Sequence, residues 1–297
     1  MGDIAGFIGL GIMGLPMARN LMRKGVSLFV SDIRSEPVDL LAAEGAAPSS
    51  IQEIAERCAI IFTMVPDDAA SEAVIIGGSG LSPHIKAGTL VVDMSSVTPA
   101  CSVKCSSGLA ARSAAHLDAP VSGGEAKAID GTLAIMAGGE PKDFERALPY
   151  LEKMGSSVKL VGKSGAGALC KLANQVIVNL NIAAMSEAFV MLCKAGGDPE
   201  AAYEAIRHGA AGSAVLDSKI HNILSRDFTP GGKMSINYKD IGNVLATAKQ
   251  YDMPMPLSAQ LYEIMRSMKA LGGPDEDHSS IVRHFERLSG YEIRKYR

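Results

Sequence analysis

The sequence predicts two architectures in series: a doubly wound α/β sheet over the first half, then an all-α C-terminal region. Three observations carry that prediction. Short apolar runs alternate with helix-period segments as far as residue 162, the pattern that builds a parallel sheet with helices on both faces. A glycine cluster, Gly9-Leu10-Gly11-Ile12-Met13-Gly14, stands directly after the first apolar run and opens the first helix pattern. Beyond residue 162 no convincing strand remains, while helix patterns recur between breaks rich in Gly, Pro and Asp.

Composition bounds what such a chain can do. Its 297 residues, 47% of them hydrophobic, suffice for two domains with large cores. A net charge of −3 offers no attraction for nucleic acid or an anionic membrane, and neither is expected as a partner. The apolar N-terminus has no basic residue ahead of it and is rich in glycine, so it does not read as a signal peptide. The most apolar later stretch, residues 176–192, is interrupted by Asn179, Asn181, Ser186 and Glu187, which argues against a membrane span. Five cysteines without a CxxC pair fit a reducing, cytoplasmic setting. Cys101 and Cys105 share a helical face, but no histidine cluster accompanies them and no metal site is expected.

Taken in order, residues 4–9 form a buried strand, and the helix after the glycines runs through Met17, Ala18, Leu21 and Met22 to Gly25. A lone GxGxxG is weak, but here the required strand precedes it and a helix follows. The glycines permit a tight turn and let the backbone approach a pyrophosphate at the positive helix N-terminus, a Rossmann-type arrangement. The second strand, residues 27–31, ends at Asp32, eighteen residues past Gly14. A carboxylate at that spacing bonds the adenosine ribose hydroxyls and repels a 2′-phosphate, which favours NAD. Arg34 keeps NADP open, because its guanidinium can meet a 2′-phosphate.

A strand at 45–47, a capped helix at 50–56, a strand at 59–65 closed by Pro66, a helix at 69–75 and a strand at 89–93 continue the alternation. Ligands lie beyond the strand C-termini of such a sheet, which marks Met64-Val65-Pro66 and Asp93-Met94-Ser95-Ser96. Ser95 and Ser96 either cap the helix starting near Pro99 or bond nicotinamide or substrate. The strand at 116–119 runs into Pro120-Val121-Ser122-Gly123-Gly124, where freed backbone amides and a hydroxyl suit a carboxylate. A purely structural turn would need the glycines but not Ser122. Strands at 132–137 and 157–161, joined by a helix at 141–154, extend the sheet. The expected division is a dinucleotide-binding domain at 1–163, a long interdomain helix at 164–195 and an all-helical substrate and oligomerisation domain at 196–297.

The long helix opens with Gly165-Ala-Gly-Ala-Leu-Cys-Lys171-Leu-Ala-Asn174-Gln175. Lys171 and Asn174, three residues apart, share a face, and Gln175 flanks it. The helix is apolar nearly all round and therefore buried, so Lys171 either snorkels to water or is a functional amine whose pKa falls with desolvation. Further helices are expected at 199–207, 213–224, 239–249, 256–271 and 279–288. Asp277-His278-Ser279 reads as a helix start with Asp277 or Ser279 as cap, and no GxSxG elbow makes a hydrolase case. Lys239-Asp240, at a helix head, reads in isolation as an ordinary solvated pair.

Together these motifs resemble the β-hydroxyacid dehydrogenase family over essentially the whole chain. GLGIMG at 9–14, DAPVSGG at 118–124, GAGALCKLANQ at 165–175 and the Lys239-Asp240 pair match its signatures in order. Three longer runs, EAKAIDGTL at 125–133, LANQVIV at 172–178 and NIAAMSEA at 181–188, look like its tartronate semialdehyde reductase branch. The resemblance implies hydride transfer between NAD, or NADP, and a small hydroxyacid or semialdehyde. Tartronate semialdehyde reduced to D-glycerate is the first expectation, and 3-hydroxyisobutyrate or a succinic or glyoxylate-type semialdehyde the alternative. It implies Lys171 as general acid/base with Asn174 beside it on the substrate, flanked by Gln175. Ser122, Gly123 and Gly124 would hold the substrate carboxylate and Ser96 would lie at nicotinamide and substrate. Lys239 would reach the cofactor, with Asp240 beside it. Cofactor contacts would otherwise come from residues 9–14, Asp32, Arg34, Met64, Val65 and Pro66. A homodimer or homotetramer is also implied. Family members often carry phenylalanine where this chain has Gly232, a change expected to enlarge or loosen that side of the pocket. Outside enzyme chemistry the alternative is a non-catalytic dinucleotide-binding module, which predicts a lost lysine or a broken carboxylate loop; both are present.

Overall fold

A computed structural model of the chain describes residues 4–272 and 275–294. The chain divides into two compact units, Met1–Lys171 and Leu172–Arg297.

The first unit is built on nine strands: β1 (Ile4–Ile8), β2 (Ser27–Ser31), β3 (Ala47–Pro48), β4 (Ile60–Thr63), β5 (Leu90–Asp93), β6 (Ala115–Asp118), β7 (Val121–Ser122), β8 (Leu133–Gly138) and β9 (Gly155–Gly162). Their order across the sheet is β3-β2-β1-β4-β5-β6-β8-β7, with β9 beside β8. From β1 the chain first builds outward through β2 and β3, then returns to place β4 on the other side of β1. That reversal is the switch point at which open α/β sheets bind ligands. Register aligns the strand ends there: Ile8 pairs with both Ser31 and Thr63, and Thr63 with Asp93. The central strands β4 and β5 are buried at every residue, as parallel strands covered on both faces must be. One face packs Phe7, Met17, Leu21 and Phe62, the other Ile8, Ile54, Ile61 and Val91.

The helices of this unit are α1 (Gly14–Arg23), α2 (Ser35–Ala43), α3 (Ile51–Arg57), α4 (Asp68–Ile75), α5 (Pro99–Ala110), α6 (Gly124–Asp130) and α7 (Pro141–Leu151). Three features depart from the sequence-based expectation. Helix α2 was not expected, because Pro37 within its first turns disguises it. The sheet is not parallel throughout: β8 runs antiparallel to β6 and β7. Strand β7 still runs with β6, and the reversal comes after it, where Gly123 (φ 141°) and Gly124 (φ 69°) lead the chain into α6 and on to β8. Neither Ser95 nor Ser96 caps α5. Thr98 does, its hydroxyl accepting from Cys101 N–H, and Pro99 occupies the first helical turn.

Helix α8 (Ala166–Lys194) begins in the first unit and ends in the second, which continues with α9 (Pro199–Ile206), α10 (Ala214–Ser225), α11 (Met234–Gln250), α12 (Pro256–Ala270) and α13 (Val282–Ser289). By length and apolarity α8 could cross a membrane, but it is dressed as a core helix. Leu172, Ile182 and Ala183 enter one cluster with Met234, Ile241 and Leu261, while Met185, Phe189 and Val190 enter another with Ile220 and Ile223. Asn179 Nδ2 and Ser186 Oγ, on fully buried side chains, donate to carbonyls one turn back, Gln175 O (2.9 Å) and Ile182 O (2.7 Å). Helix α11 starts five residues before Lys239, so the Lys239-Asp240 pair sits inside the helix rather than at its head. Asp277 is fully buried and caps a 3₁₀ turn at His278–Ile281, while its carboxylate also takes Lys219 Nζ (2.9 Å) and the Gly231 and Gly232 N–H groups.

Candidate active site

The three glycines after β1 do different jobs. Gly9 has φ 93°, and a Cβ there would stand 2.2 Å from Met64 O, so strand β4 leaves no room for one. A Cβ at Gly14 would meet Gly9 O at 1.9 Å, because the first turn of α1 folds back onto the loop. Around the Cβ position of Gly11 there is nothing within 4 Å. Two glycines thus serve the turn and one keeps a backbone surface open, as a pyrophosphate approaching the helix N-terminus requires. Beside this turn lies a cavity of about 330 Å³ whose lining includes Leu10, Gly11, Ile12, Arg34 and Glu36. Gly9 to Gly14 and the groove beside them fit a dinucleotide.

Asp32 is anchored rather than loose. Leu10 N–H donates to its Oδ2 (2.6 Å) and Arg34 N–H to its Oδ1 (2.9 Å). The Arg34 guanidinium touches Oδ1 (3.3 Å) and Leu10 O (3.2 Å), while more than half of its side chain faces solvent.

At the next strand ends, buried polar groups tie β4 to β5. Asp93 accepts from Thr63 Oγ1 (2.9 Å), from Ser71 Oγ and from Ser95 N–H (3.1 Å). Ser95 Oγ in turn accepts from Val65 N–H (2.9 Å). Ser95, fully buried, is therefore a structural strut. Ser96 is half-buried next to it, as are Met64 and Val65, with Pro66 exposed. Ser122, at the end of β7, is half-buried, and Gly123 and Gly124 are exposed with the left-handed backbone that only glycine takes readily.

Lys171 lies on α8, 8% exposed. Its helix is fastened to the sheet by Asp118, the last residue of β6, whose carboxylate accepts from Gly165 N–H (2.7 Å) and Ala168 N–H (2.8 Å). Burial pushes the Asp118 carboxyl up to about 6, against the pull of those two amides.

In the second unit the remaining expected residues form one chain of bonds. Asn174 Nδ2 donates to Gln175 Oε1 (3.0 Å), Gln175 Nε2 to Asp240 Oδ2 (2.5 Å), and Lys239 Nζ reaches Asp240 Oδ1 (3.1 Å). Asp240 is 3% exposed and Gln175 7%, so both orient their neighbours' side chains. A Cβ at Gly232 would make only ordinary contacts, 3.8 Å from the His278 ring and 3.9 Å from Asn237 Nδ2. The space that a side chain would take at residue 232 is thus bordered by polar groups. His278 is buried, which pushes its imidazole down to about 4.

A cavity of about 610 Å³ belongs to neither group of residues. It lies in the second unit among Arg226, Arg283, Glu286, Arg287 and Glu292. Its lining charges are largely spent on each other and on Glu276, with Arg226 bonded to Glu286 (2.6 Å) and Arg283 to Glu276 (2.7 Å). It is an ion-pair network with solvent in front of it. Among the described residues no group of three or more His, Cys, Asp or Glu is placed to hold a metal ion.

Sequence reasoning passed over two residues that shape this site. Asp118 heads the DAPVSGG run without having been given a task. Asn20, buried on the apolar face of α1, donates to Ala128 O (2.7 Å) and Ile129 O (3.2 Å) and ties α1 to the end of α6. In each case the signal is a polar residue where the pattern demands an apolar one.

Residues 4–162 match the sequence model of the NAD binding domain of 6-phosphogluconate dehydrogenase. Residues 165–285 match that described as NAD-binding of NADP-dependent 3-hydroxyisobutyrate dehydrogenase. The chain is 39% identical to a 2-hydroxy-3-oxopropionate reductase of Escherichia coli (strain K12), covering 97% of this chain and 99% of that one. It is 37% identical to a 2-(hydroxymethyl)glutarate dehydrogenase of Eubacterium barkeri, covering 97% and 96%. The crystal structure of a 3-hydroxyisobutyrate dehydrogenase from Salmonella typhimurium superposes with a TM-score of 0.85 at 31% identity, covering 95% of this chain and 99% of that one.

Proposed function

This chain belongs to the β-hydroxyacid dehydrogenase family and is an NAD(P)-dependent oxidoreductase, and from that premise we propose that it reduces tartronate semialdehyde to D-glycerate. The observation behind this choice of substrate is the 39% identity, over nearly the full length of both chains, to a reductase of 2-hydroxy-3-oxopropionate, which is tartronate semialdehyde. The relative named for 2-(hydroxymethyl)glutarate is almost as similar. Both substrates carry the reacting carbon β to a carboxylate, and that shared chemistry is what the site has to read.

When bound, the nicotinamide ring supplies the hydride for reduction and accepts it in the reverse direction. The rest is the work of side chains. The Lys171 ammonium gives a proton to the substrate oxygen as negative charge develops there, and the neutral amine takes it back in oxidation. Charge stabilisation by the ammonium counts most where water is excluded, and Lys171 is 8% exposed. Ser122, Gly123 and Gly124 hold the substrate carboxylate, with Ser96 contributing at the reacting end. Asn174 binds the substrate with its amide set by Gln175, and Lys239 binds the cofactor with its ammonium held by Asp240. Asp32 favours NAD, whereas the domain model matched by residues 165–285 is described for an NADP-dependent enzyme.

The chain also self-associates in this proposal. Along α8, Ala173, Ile177, Ala184, Ala188 and Met191 recur at helical spacing and stay exposed, Ile177 by 63% and Met191 by 70%.

The test is oxidation of NADH, then NADPH, with tartronate, methylmalonate and succinic semialdehydes. Preference for tartronate semialdehyde is expected. Preference for another of the three contradicts the substrate assignment, and turnover of none contradicts the catalytic reading.

A further inference from the structure

Asp118 is 1% exposed at the end of β6, and its two oxygens each accept one amide from the start of α8. The first N–H groups of a helix have no partner within it, and a carboxylate there satisfies them and the positive end of the helix dipole. Ordinary caps come from the residue just ahead of the helix. This one comes from forty-seven residues earlier in the chain. Its surroundings leave no slack. A Cβ at Gly167 would stand 2.3 Å from Met136 O and 2.9 Å from Asp118 Oδ2, and one at Gly138 would stand 2.8 Å from the same oxygen. The first turn of α8 therefore lies directly on β6 and β8, with glycine at each close approach. Lys171 follows Ala168 by three residues, less than one helical turn.

The charge of Asp118 costs stability. Its carboxyl is raised by burial, with Asp93 on β5 adding to the rise; the Gly165, Ala168 and Asp118 N–H groups pull the other way. A raised carboxyl stabilises the fold in its protonated form: that contribution is complete below the ordinary carboxylate range and is lost as pH rises through about 6. An ionised group kept at such a site at neutral pH serves something other than stability.

We propose that Asp118 is a positioning residue, whose carboxylate clamps the first turn of α8 to the end of β6 and thereby fixes the reach of the Lys171 amine toward the substrate oxygen. The proposal rests on the assignment of Lys171 as proton donor. Protonation converts one oxygen of Asp118 to a hydroxyl that no longer accepts its amide well, so the clamp holds above pH about 6 and loosens below it.

The test combines amide NMR with steady-state kinetics on the full chain. In the wild type, the Gly165 and Ala168 amide resonances should titrate with a midpoint near pH 6. As pH is lowered, kcat should fall along the same curve while NADH affinity holds. Asp118→Asn should abolish that titration and lower kcat about tenfold above pH 7, since small misplacements of a reacting group are costly; NADH affinity and helix content should not change.

Wild-type amides that do not titrate, with kcat flat down to pH 5, overturn the clamp, and this result does not depend on whether a variant folds. Wild-type kcat in Asp118→Asn also overturns it, as does a loss of NADH affinity in step with kcat, which marks a merely structural role. If the wild type turns over no semialdehyde, the role of Lys171 falls and the clamp with it. A wild type that turns over while Asp118→Asn equals it refutes the clamp alone.

Discussion

Asp32 does two things at once. By accepting the Leu10 and Arg34 amides it shapes the glycine turn, and in the proposed function its charge also sets which adenosine ribose the turn accepts. Arg34, mostly in solvent and bonded to Asp32 and Leu10 O, is free to swing toward a phosphate once that carboxylate is gone. Asp32→Ala should therefore move the ratio of kcat/KM for NADH over NADPH toward NADPH by about tenfold or more, the worth of one charged hydrogen bond. An unchanged ratio would remove Asp32 from cofactor choice. At this scale the sequence was informative wherever one residue type has one physical reason to be present. Gly9 and Gly14 are demanded by backbone contacts at 2.2 and 1.9 Å, and glycine spacing alone foretold them. Ser95 and Ser96 were indistinguishable beforehand, because a hydroxyl that ties two strands and one that faces a ligand look the same in sequence; Val65 N–H on Ser95 Oγ makes Ser95 a tie.

Among elements, α8 was legible at once, since twenty-nine residues without proline and with glycines ahead of them leave little alternative. What holds it was not legible. The clamp joins residues 118 and 165, and no local pattern reports a bond across that separation. Helix α11 was placed five residues late for a related reason: Ser235, Asn237 and Tyr238 are poor helix formers, and burial of Met234 and Asn237 overrides their propensity. Strand β7 was missed because two residues give no alternation to read. Its pairing with β8 makes the Ser122 turn a fixed corner.

For the whole molecule, the alternation of strands and helices foretold a doubly wound sheet with its ligand edge at the strand C-termini, and β3-β2-β1-β4-β5-β6 has that order. The antiparallel insertion of β8 escaped, because strand direction is a property of the connection and not of the strand. The apolar stripe on α8 bears on assembly. A strip one helix wide is narrow beside the ~800 Å² per partner typical of stable interfaces, so α8 would be the centre of a larger contact. A charge at the centre of such a contact is costly to bury unpaired. Ile177→Glu should shift the chain to monomer in light scattering after gel filtration, with the fold retained. A variant that elutes and scatters as the wild type does would place assembly elsewhere.

The most direct measurement of the central claim is stopped-flow hydride transfer in Lys171→Ala, with NADH affinity measured on the same sample. The account predicts affinity near that of the wild type and a transfer rate lower by ~10²-fold or more, the usual loss when a general acid is removed. Hydride transfer at the wild-type rate would contradict it.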